Sequence, residues 1–474
     1  MNHCIRISDW SLAGWTPYLW QLDASIELGE AQNAEIKDIP AHVPGSVQEA
    51  LRKSGIIPDW NYGYNARLCE WVENRHWIYT AAIQDLPEKE CECSCHLDGA
   101  GWIVWDGKII AEFQHSHRPF VFNIPSCEPD KKHTLSIVFD LPPRWLGQFG
   151  FTSKFTVGKP RFYYTWDWVP RIVQTAIVSD VEIRPCNCKS ETVMQDIWTD
   201  NQTLFLRGRT TSKVTVSLYD DDKLIYESIL SVDQFTDGKK FEALPVELWY
   251  PNGAGIQKLY TLSVNGQRFK VGFRKIVWEK CLEAPVNAEK WTLMINDTPI
   301  FVQGVNWTPI RPNFADVREE EYRKRLEKYR DIGINMIRVW GGASIEKNIL
   351  YQLCDEFGIM VWQEFPMSSS GIESIPPADE KSMIEVLADA EYYLSRLTPH
   401  VSLLMWSGGN ELQRALDHSP YGCGKPCGLD EPLLEKLADL VLQKDPSRRF
   451  VPSSASGPRE FADEKDFGKG LHWD

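Results

Sequence analysis

A Trp-Ser-Gly-Gly-Asn-Glu run, Trp406 to Glu411, holds the residues of this chain best suited to chemistry. A Glu near a Trp suits acid/base work on a sugar, because an apolar wall can raise a carboxyl pKa towards neutrality. The run follows Val401-Ser-Leu-Leu-Met405, which reads as a buried strand. Asn410 and Glu411 then fall just past the strand's C-terminal end, where Gly408-Gly409 lets the backbone turn sharply. A parallel β/α barrel places its catalytic groups at such strand ends. A plainer reading stands beside this one: an ordinary helix start, where Glu meets the positive end of the helix dipole.

The elements that must position this run begin near residue 291. Apolar strands alternate there with amphipathic helices: Ile300 to Asn306, a helix from Glu319 to Asp331, then Met336 to Trp340. A helix from about 344 to Phe357, a strand from Ile359 to Glu364 and a helix from Glu380 to Leu397 lead to the strand before Glu411. A last helix, Glu431 to Gln443, precedes Phe450-Val-Pro-Ser-Ser454. This alternation predicts a parallel sheet, and polar residues at its strand ends favour a barrel. Those ends carry Asn306-Trp307, Arg338 with Trp340, Trp362 with Glu364, Asn410-Glu411 and the later pair His472-Trp473. An inward Arg338 would need an acidic partner, so an arginine–carboxylate pair in the barrel core is expected.

Two all-β segments precede the barrel pattern. Up to about residue 187, short apolar runs such as Trp77 to Ile83, Trp102 to Trp105 and Thr134 to Phe139 alternate with turn residues; Asp106-Gly107 is a hairpin signal. Residues 1–187 are read as an antiparallel β-sandwich. Residues 188–284 repeat the pattern in Thr203 to Arg207, Lys213 to Tyr219 and Leu259 to Val264 before Asn265-Gly266, and fit an immunoglobulin-like sandwich. The barrel part takes residues 285–474, and the fold class is multi-domain β plus α/β.

Bulk composition narrows the function classes. The 474 residues are 43% hydrophobic and 25% charged, ordinary values for a globular protein of several domains. A net charge of −15 argues against nucleic acid and anionic membranes as partners. The 20 Trp, as many as the Phe, suit both sugar stacking and large cores. No apolar run is long enough to span a membrane, and the N-terminus shows no signal-peptide pattern. The cytoplasm is therefore the default compartment, with a secreted or lysosomal-type location left open. The 12 Cys do not form a disulfide scaffold. Cys91, Cys93 and Cys95 would share one strand face, and none of the Cys clusters has zinc spacing, so neither metal nor cofactor is expected. His115-x-His117 reads as a surface or sugar-site loop.

Four barrel runs taken together are recognisable: Gly304-Val-Asn-Trp-Thr-Pro309, Ile337-Arg-Val-Trp-Gly-Gly342, Trp362-Gln-Glu-Phe365 and Trp406-Ser-Gly-Gly-Asn-Glu411. They resemble the β-mannosidase branch of glycoside hydrolase family 2, and Trp166-Asp-Trp-Val-Pro-Arg171 resembles that branch's Trp-Asp-Trp-x-Pro-Arg signature. The resemblance covers the whole chain and implies a jelly-roll-like sandwich, an immunoglobulin-like domain and a (β/α)8 barrel. It implies Glu411 as general acid/base and Asn410 as the contact to the sugar 2-hydroxyl region. Trp166, Asp167 and Trp168 would help close the sugar pocket, and Arg338, Trp340 and Trp362 would line it. The implied activity is retaining exo-β-mannosidase action on a β-mannoside or related oligosaccharide.

The retaining mechanism needs a second carboxylate about 5–5.5 Å from the first, which the resemblance places on a later strand. Residues 291–474 fall short of the about 250 residues of an eight-stranded barrel. The expectation is an incomplete barrel, a nucleophile beyond residue 474, a missing C-terminal half or a partner that supplies it, and no turnover by these residues alone. Glu364 is the one substitute, and a structural or substrate-side role suits it better. A sister β-glycosidase specificity (glucosaminidase, galactosidase or glucuronidase) and a non-catalytic carbohydrate-binding protein remain the alternatives.

Overall fold

A computed structural model of the chain describes residues 4–22, 33–84, 86, 90–125, 131–144, 146–147, 150–154, 158–186, 192–414, 425–459 and 469–470. The chain forms two compact units. The first holds Met1–Gly150, Phe155–Lys189 and Pro309–Val317; the second holds Phe151–Lys154, Ser190–Thr308 and Arg318–Asp474.

Period-two alternation builds the first unit. Ile36–Ala41, Trp10–Trp15, His76–Ile83, His133–Phe139, Gly101–Trp105 and Lys108–Phe113 form a six-stranded antiparallel sheet in that order. A second sheet takes Ile5–Arg6, Glu182–Pro185, Cys91–Cys95 and Phe120–Ile124. One apolar cluster draws Leu12, Trp77, Tyr79 and Ile137 from the first sheet and Cys93, Phe122 and Ile183 from the second, which makes the unit a sandwich. Asp106-Gly107 forms the expected tight hairpin, with both residues at positive φ (47° and 80°). The segment returning at 309–317 is bound into this unit. Ser46 Oγ donates to Asp316 Oδ2 over 2.5 Å, and the Ala315 amide donates to Gln174 Oε1 over 2.9 Å.

Cys91, Cys93 and Cys95 do share one strand face, and that face is the sandwich core. Burial pushes the Cys95 thiol up to about 12 and Cys93 higher still, so these are packing groups with almost no thiolate. No group of three His, Cys, Asp or Glu side chains could hold a metal among the described residues.

The surface alternative for the His115-x-His117 loop falls at His117, which is buried, 1% exposed. Burial pushes its imidazole down to about 3, against the pull of Asp98 and with the repulsion of His96, His115 and Arg118. The unfolded chain takes up that proton near pH 6.5 and the folded chain does not. The His117 contribution is therefore intact above about pH 6.5 and is lost as pH falls towards about 3, a matter of a few kcal/mol at most. Urea midpoints measured from pH 7 to 4 should fall less steeply in His117→Gln than in the parent chain. Parallel curves would show that the acid sensitivity lies elsewhere.

The second unit opens with two antiparallel sheets. Thr192–Asp200, Thr203–Thr210 and Lys239–Phe241 form one; Lys223–Leu230, Val214–Asp220, Tyr260–Val264 and Gln267–Val271 form the other. Ile197, Leu204 and Leu206 pack with Val216, Leu218, Leu262 and Val264 between them. This seven-stranded sandwich has the immunoglobulin-like architecture expected. A parallel sheet follows, of β1 (Gly304–Trp307), β2 (Met336–Val339), β3 (Met360–Glu364), β4 (Leu403–Ser407) and β5 (Arg449–Val451). The strands lie side by side in chain order, joined through α1 (Glu319–Asp331), α2 (Asn348–Phe357), α3 (Glu380–Leu397) and α4 (Pro432–Lys444). Such singly wound order is that of a β/α barrel, not of a doubly wound sheet.

Local chemistry sets the boundaries. The Asp379 side chain accepts the Ser382 amide and starts α3, while Gly358 at φ 74° ends α2. Helix α2 begins at Asn348 rather than near 344, because the preceding Glu346 carboxyl is taken by Trp307 Nε1 at 2.9 Å and Tyr322 Oη at 2.6 Å. The antiparallel sandwich and the parallel sheet belong to one compact unit. Trp249 Nε1 donates to the Asp355 carbonyl over 2.8 Å, and Arg274 donates to the Leu403 carbonyl, so the two parts share buried bonds. Among the described residues no helix is long and apolar enough to cross a membrane.

Candidate active site

Parallel register places Asn306, Arg338, Trp362 and Met405 side by side across β1 to β4. Arg338 is 6% exposed and organises this row. Its Nε and Nη2 donate to Glu364 Oε1 over 3.1 and 2.9 Å, and its Nη1 donates to Asn306 Oδ1 over 2.9 Å. Nη2 also reaches Asn410 Oδ1 at 2.6 Å and Ser454 Oγ at 2.9 Å. The guanidinium carbon lies 5.2 Å from the Trp362 ring centroid. A planar fork with five fixed donors can hold four strand ends together, which an ammonium with three donors could not.

Glu364 is the acidic partner that an inward Arg338 requires. It is 0% exposed. Besides Arg338 it accepts the Gly341 amide at Oε2 over 2.8 Å and the Ser454 hydroxyl at Oε1. With these lone pairs occupied it has a structural role, and the notion of Glu364 as a substitute nucleophile falls.

Asn410 and Glu411 sit beyond β4 in a row that continues the sheet. Ser368, Asn410 and Ser454, each just past its own strand, are bridged as neighbours. The Asn410 amide donates to the Met367 carbonyl over 3.0 Å, and its Nδ2 donates to Ser368 Oγ over 3.0 Å. One hydrogen of that nitrogen is left for a ligand. The Glu411 amide donates to the Ser454 carbonyl over 2.8 Å, and Ser369 Oγ donates to Glu411 Oε2 over 2.8 Å. Among the described residues no hydrogen bond reaches Oε1. Glu411 is half-buried and adopts φ 49°, a left-handed conformation costly for a non-glycine residue. No helix starts here: the chain goes on to a short pairing of Gln413–Arg414 with Lys425–Pro426, so the helix-dipole reading fails.

The glycine pair serves close approach rather than turning. Neither residue has positive φ. A Cβ on Gly408 would lie 2.3 Å from the Pro452 carbonyl oxygen, and one on Gly409 would lie 2.8 Å from that of Met367. Only glycine lets the segments after β3, β4 and β5 approach this closely.

Two tryptophans turn out to face the other way. Trp406 is fully buried, donates to Asp445 Oδ2 over 2.8 Å and stacks on Phe365, so it forms no wall beside Glu411. Trp307 stacks on Tyr322 of α1 and binds Glu346, while its neighbour Asn306 points to Arg338. Alternation along each strand separates these neighbours. Trp362 does face Arg338, and its buried Nε1 has no hydrogen-bond partner among the described residues. Trp340 is buried over Gly342, where a Cβ would lie 2.1 Å from the ring.

Trp166, Asp167 and Trp168 form the tip of a hairpin between Tyr164–Trp166 and Val169–Arg171 in the first unit. Trp168 is 41% exposed and stacks on Phe162 at 5.8 Å. The base is firmly held. Arg171 pairs with Glu73 at 2.6 Å and covers the Tyr164 ring, while Gln174 binds both Tyr163 Oη and Asp98. Asp98 in turn pairs with Lys159, buried like itself. At the tip Asp167 and Trp168 are exposed and Trp166 is half-buried. His472 and Trp473 lie outside the described residues.

Sequence reasoning missed Ser368, Ser369 and Ser454, which hold Asn410, Glu411 and the Arg338–Glu364 pair. Their signal was present: serine runs directly follow β3 and β5, at the same level as Asn410.

A singly wound parallel sheet with an amide and a carboxylate at consecutive positions past one strand is the arrangement of a β/α-barrel site. Residues 20–179 match the glycosyl hydrolase 2 galactose-binding domain-like family, and residues 286–448 match the glycosyl hydrolases family 2 TIM barrel domain. Beta-mannosidase B of Emericella nidulans is 27% identical over 91% of this chain and 56% of its own length. Beta-mannosidase of Capra hircus is 28% identical over 88% of this chain and 53% of its own. The crystal structure of a β-D-mannosidase from Dictyoglomus thermophilum superposes with a TM-score of 0.77 at 24% identity, covering 96% of this chain and 58% of that one. The chain belongs to glycoside hydrolase family 2, on its β-mannosidase branch. It spans just over half the length of the curated relatives it matches.

Proposed function

We propose that this chain carries the acid/base side of a retaining exo-β-mannosidase, acting on terminal β-D-mannosyl groups of oligosaccharides. The observation that carries the reading is Glu411 at the end of β4, with Oε2 held by Ser369 and Oε1 left without a protein partner among the described residues. A carboxyl held at one oxygen can deliver a proton from the other. In the retaining mechanism it protonates the departing oxygen as a second carboxylate attacks the anomeric carbon, and it then takes a proton from the water that releases the sugar. Asn410, fixed by Arg338 and Ser368, offers its remaining Nδ2 hydrogen to a sugar hydroxyl. Trp362 offers an indole N–H with no partner among the described residues, and Trp340 adds apolar surface. Trp166, Asp167 and Trp168 are assigned to substrate binding, on the strength of their likeness to the branch's motif. The mannoside specificity is supported by relatives named beta-mannosidase from both fungi and mammals.

The native protein presented with aryl β-D-mannoside, glucoside, galactoside, glucuronide and N-acetylglucosaminide tests this. Mannoside is expected to be hydrolysed with the highest kcat/KM, with β-mannose as first product. A clear preference for another glycoside would replace the specificity. Sugar binding without hydrolysis of any, unchanged in Glu411→Gln, would replace the enzyme by a binding protein.

A further inference from the structure

We propose that Ser369 is the positioning residue of the acid/base carboxyl: its hydroxyl ties down Oε2 of Glu411 and so reserves Oε1 for the proton. The assignment rests on the role given to Glu411 above. The contact itself is the 2.8 Å bond from Ser369 Oγ to Oε2.

Both partners of that bond sit in fixed frames. On one side, the Ser369 amide donates to the Asn410 carbonyl over 2.9 Å while the Asn410 amide donates to Met367 over 3.0 Å, so the two loops are laced residue by residue. Residues flanking Ser369 are pinned from outside the sheet. Thr152 Oγ1 donates to the Ser368 carbonyl over 2.8 Å and lies 3.2 Å from Ser370 Oγ, and Ser374 Oγ donates to the Ser370 carbonyl over 3.1 Å. On the other side, the Glu411 backbone is anchored to the Ser454 carbonyl at positive φ, which sets where its side chain leaves the chain. A hydroxyl–carboxylate bond between two mobile surface groups would be worth little, because ordering them costs entropy. Here that ordering is done by the frame, and the bond can select one carboxyl orientation.

The chemistry gives such selection a purpose. As the glycosidic C–O bond breaks, its electron pair goes to the departing oxygen, and the proton on Oε1 follows it. Glu411 is then anionic, and Oε1 takes a proton from the water that attacks the anomeric carbon. Through both steps the Ser369 hydroxyl can stay on Oε2. Losing it frees the carboxyl to rotate, and the proton is no longer aimed at the glycosidic oxygen.

The test compares Ser369→Ala with Ser369→Thr, which keeps a hydroxyl. The carboxyl-carbon NMR resonance of Glu411, assigned by its absence in Glu411→Gln, is expected to move in Ser369→Ala and to return towards the parent position in Ser369→Thr. In the native protein, Ser369→Ala should slow a mannoside with a poor alcohol leaving group roughly tenfold to a hundredfold, the loss of one hydrogen bond to a charged group. The phenol burst from a dinitrophenyl mannoside, whose departure needs no proton, should change little, and a purely structural defect would slow this first step for both substrates alike. An unmoved resonance, or equal slowing of both substrates, overturns the assignment of Ser369. A resonance that moves in a protein that hydrolyses no glycoside overturns the functional reading instead, and the acid/base role of the contact goes with it.

Discussion

Glu411→Gln is expected to lower the turnover of a mannoside with a poor leaving group by about 10²–10⁴-fold, the usual worth of a positioned general acid. Glutamine keeps the size of the side chain and can still meet Ser369 Oγ, which donates to Oε2 in the parent. What it lacks is an acidic proton. Binding of mannose should therefore change little while kcat falls. A dinitrophenyl mannoside isolates the two steps. Its first step needs no acid, so a burst of phenol should appear, followed by slow release of the sugar because no base activates water. Azide, which attacks without base assistance, should restore the second step and give a β-mannosyl azide. Parent-level turnover of every substrate in this variant would remove Glu411 from the mechanism.

Arg338→Ala has the second large effect, and it strikes stability first. The substitution strands Glu364, which is 0% exposed and paired to Arg338 at 2.9 Å. Removing one partner of a buried pair costs about 3–5 kcal/mol, because the surviving charge has no water to replace it. It also frees the amide oxygen of Asn410 and one contact of Ser454. The midpoint of chemical unfolding should fall accordingly, and Arg338→Lys should recover little of it, since one ammonium cannot serve Glu364, Asn306, Asn410 and Ser454 together. The pair Arg338→Met with Glu364→Leu separates the two roles. It should regain much of the stability, as apolar replacement of buried ion pairs often does, yet leave sugar binding weak because Asn410 is no longer aimed. A midpoint for Arg338→Ala within about 0.5 kcal/mol of the parent, typical of a surface change, would show that the pair is not a keystone.

The architecture was legible because the hydrophobic period changes from two to a helix-and-strand alternation, and the pairing of an interrupting arginine with an acid follows from desolvation alone. Glu364 was within view for that reason. The facing of Trp406 and Trp307 was not. A parallel strand covered on both sides is apolar at nearly every position, so no alternation tells which tryptophan looks inward. The roles of Ser369 and Ser454 were hidden for another reason: a serine's partner depends on which loops approach, and those loops meet only because Gly408 and Gly409 lack a Cβ. His117 illustrates the converse, a polar residue beside a proline-containing turn that the fold nonetheless takes into its core.

The returning segment Pro309–Val317 has a consequence for how the chain is made. Asp316 holds Ser46, and Ala315 holds Gln174, within the unit that also contains residue 10. A ribosome releases the N-terminus first, and domains commonly fold in that order. Here the N-terminal sandwich must wait for residue 317 to emerge, after the whole immunoglobulin-like sandwich and β1 have been synthesised, before its last bonds can close. The unit that begins the sequence thus closes only after a large part of the second has already been synthesised.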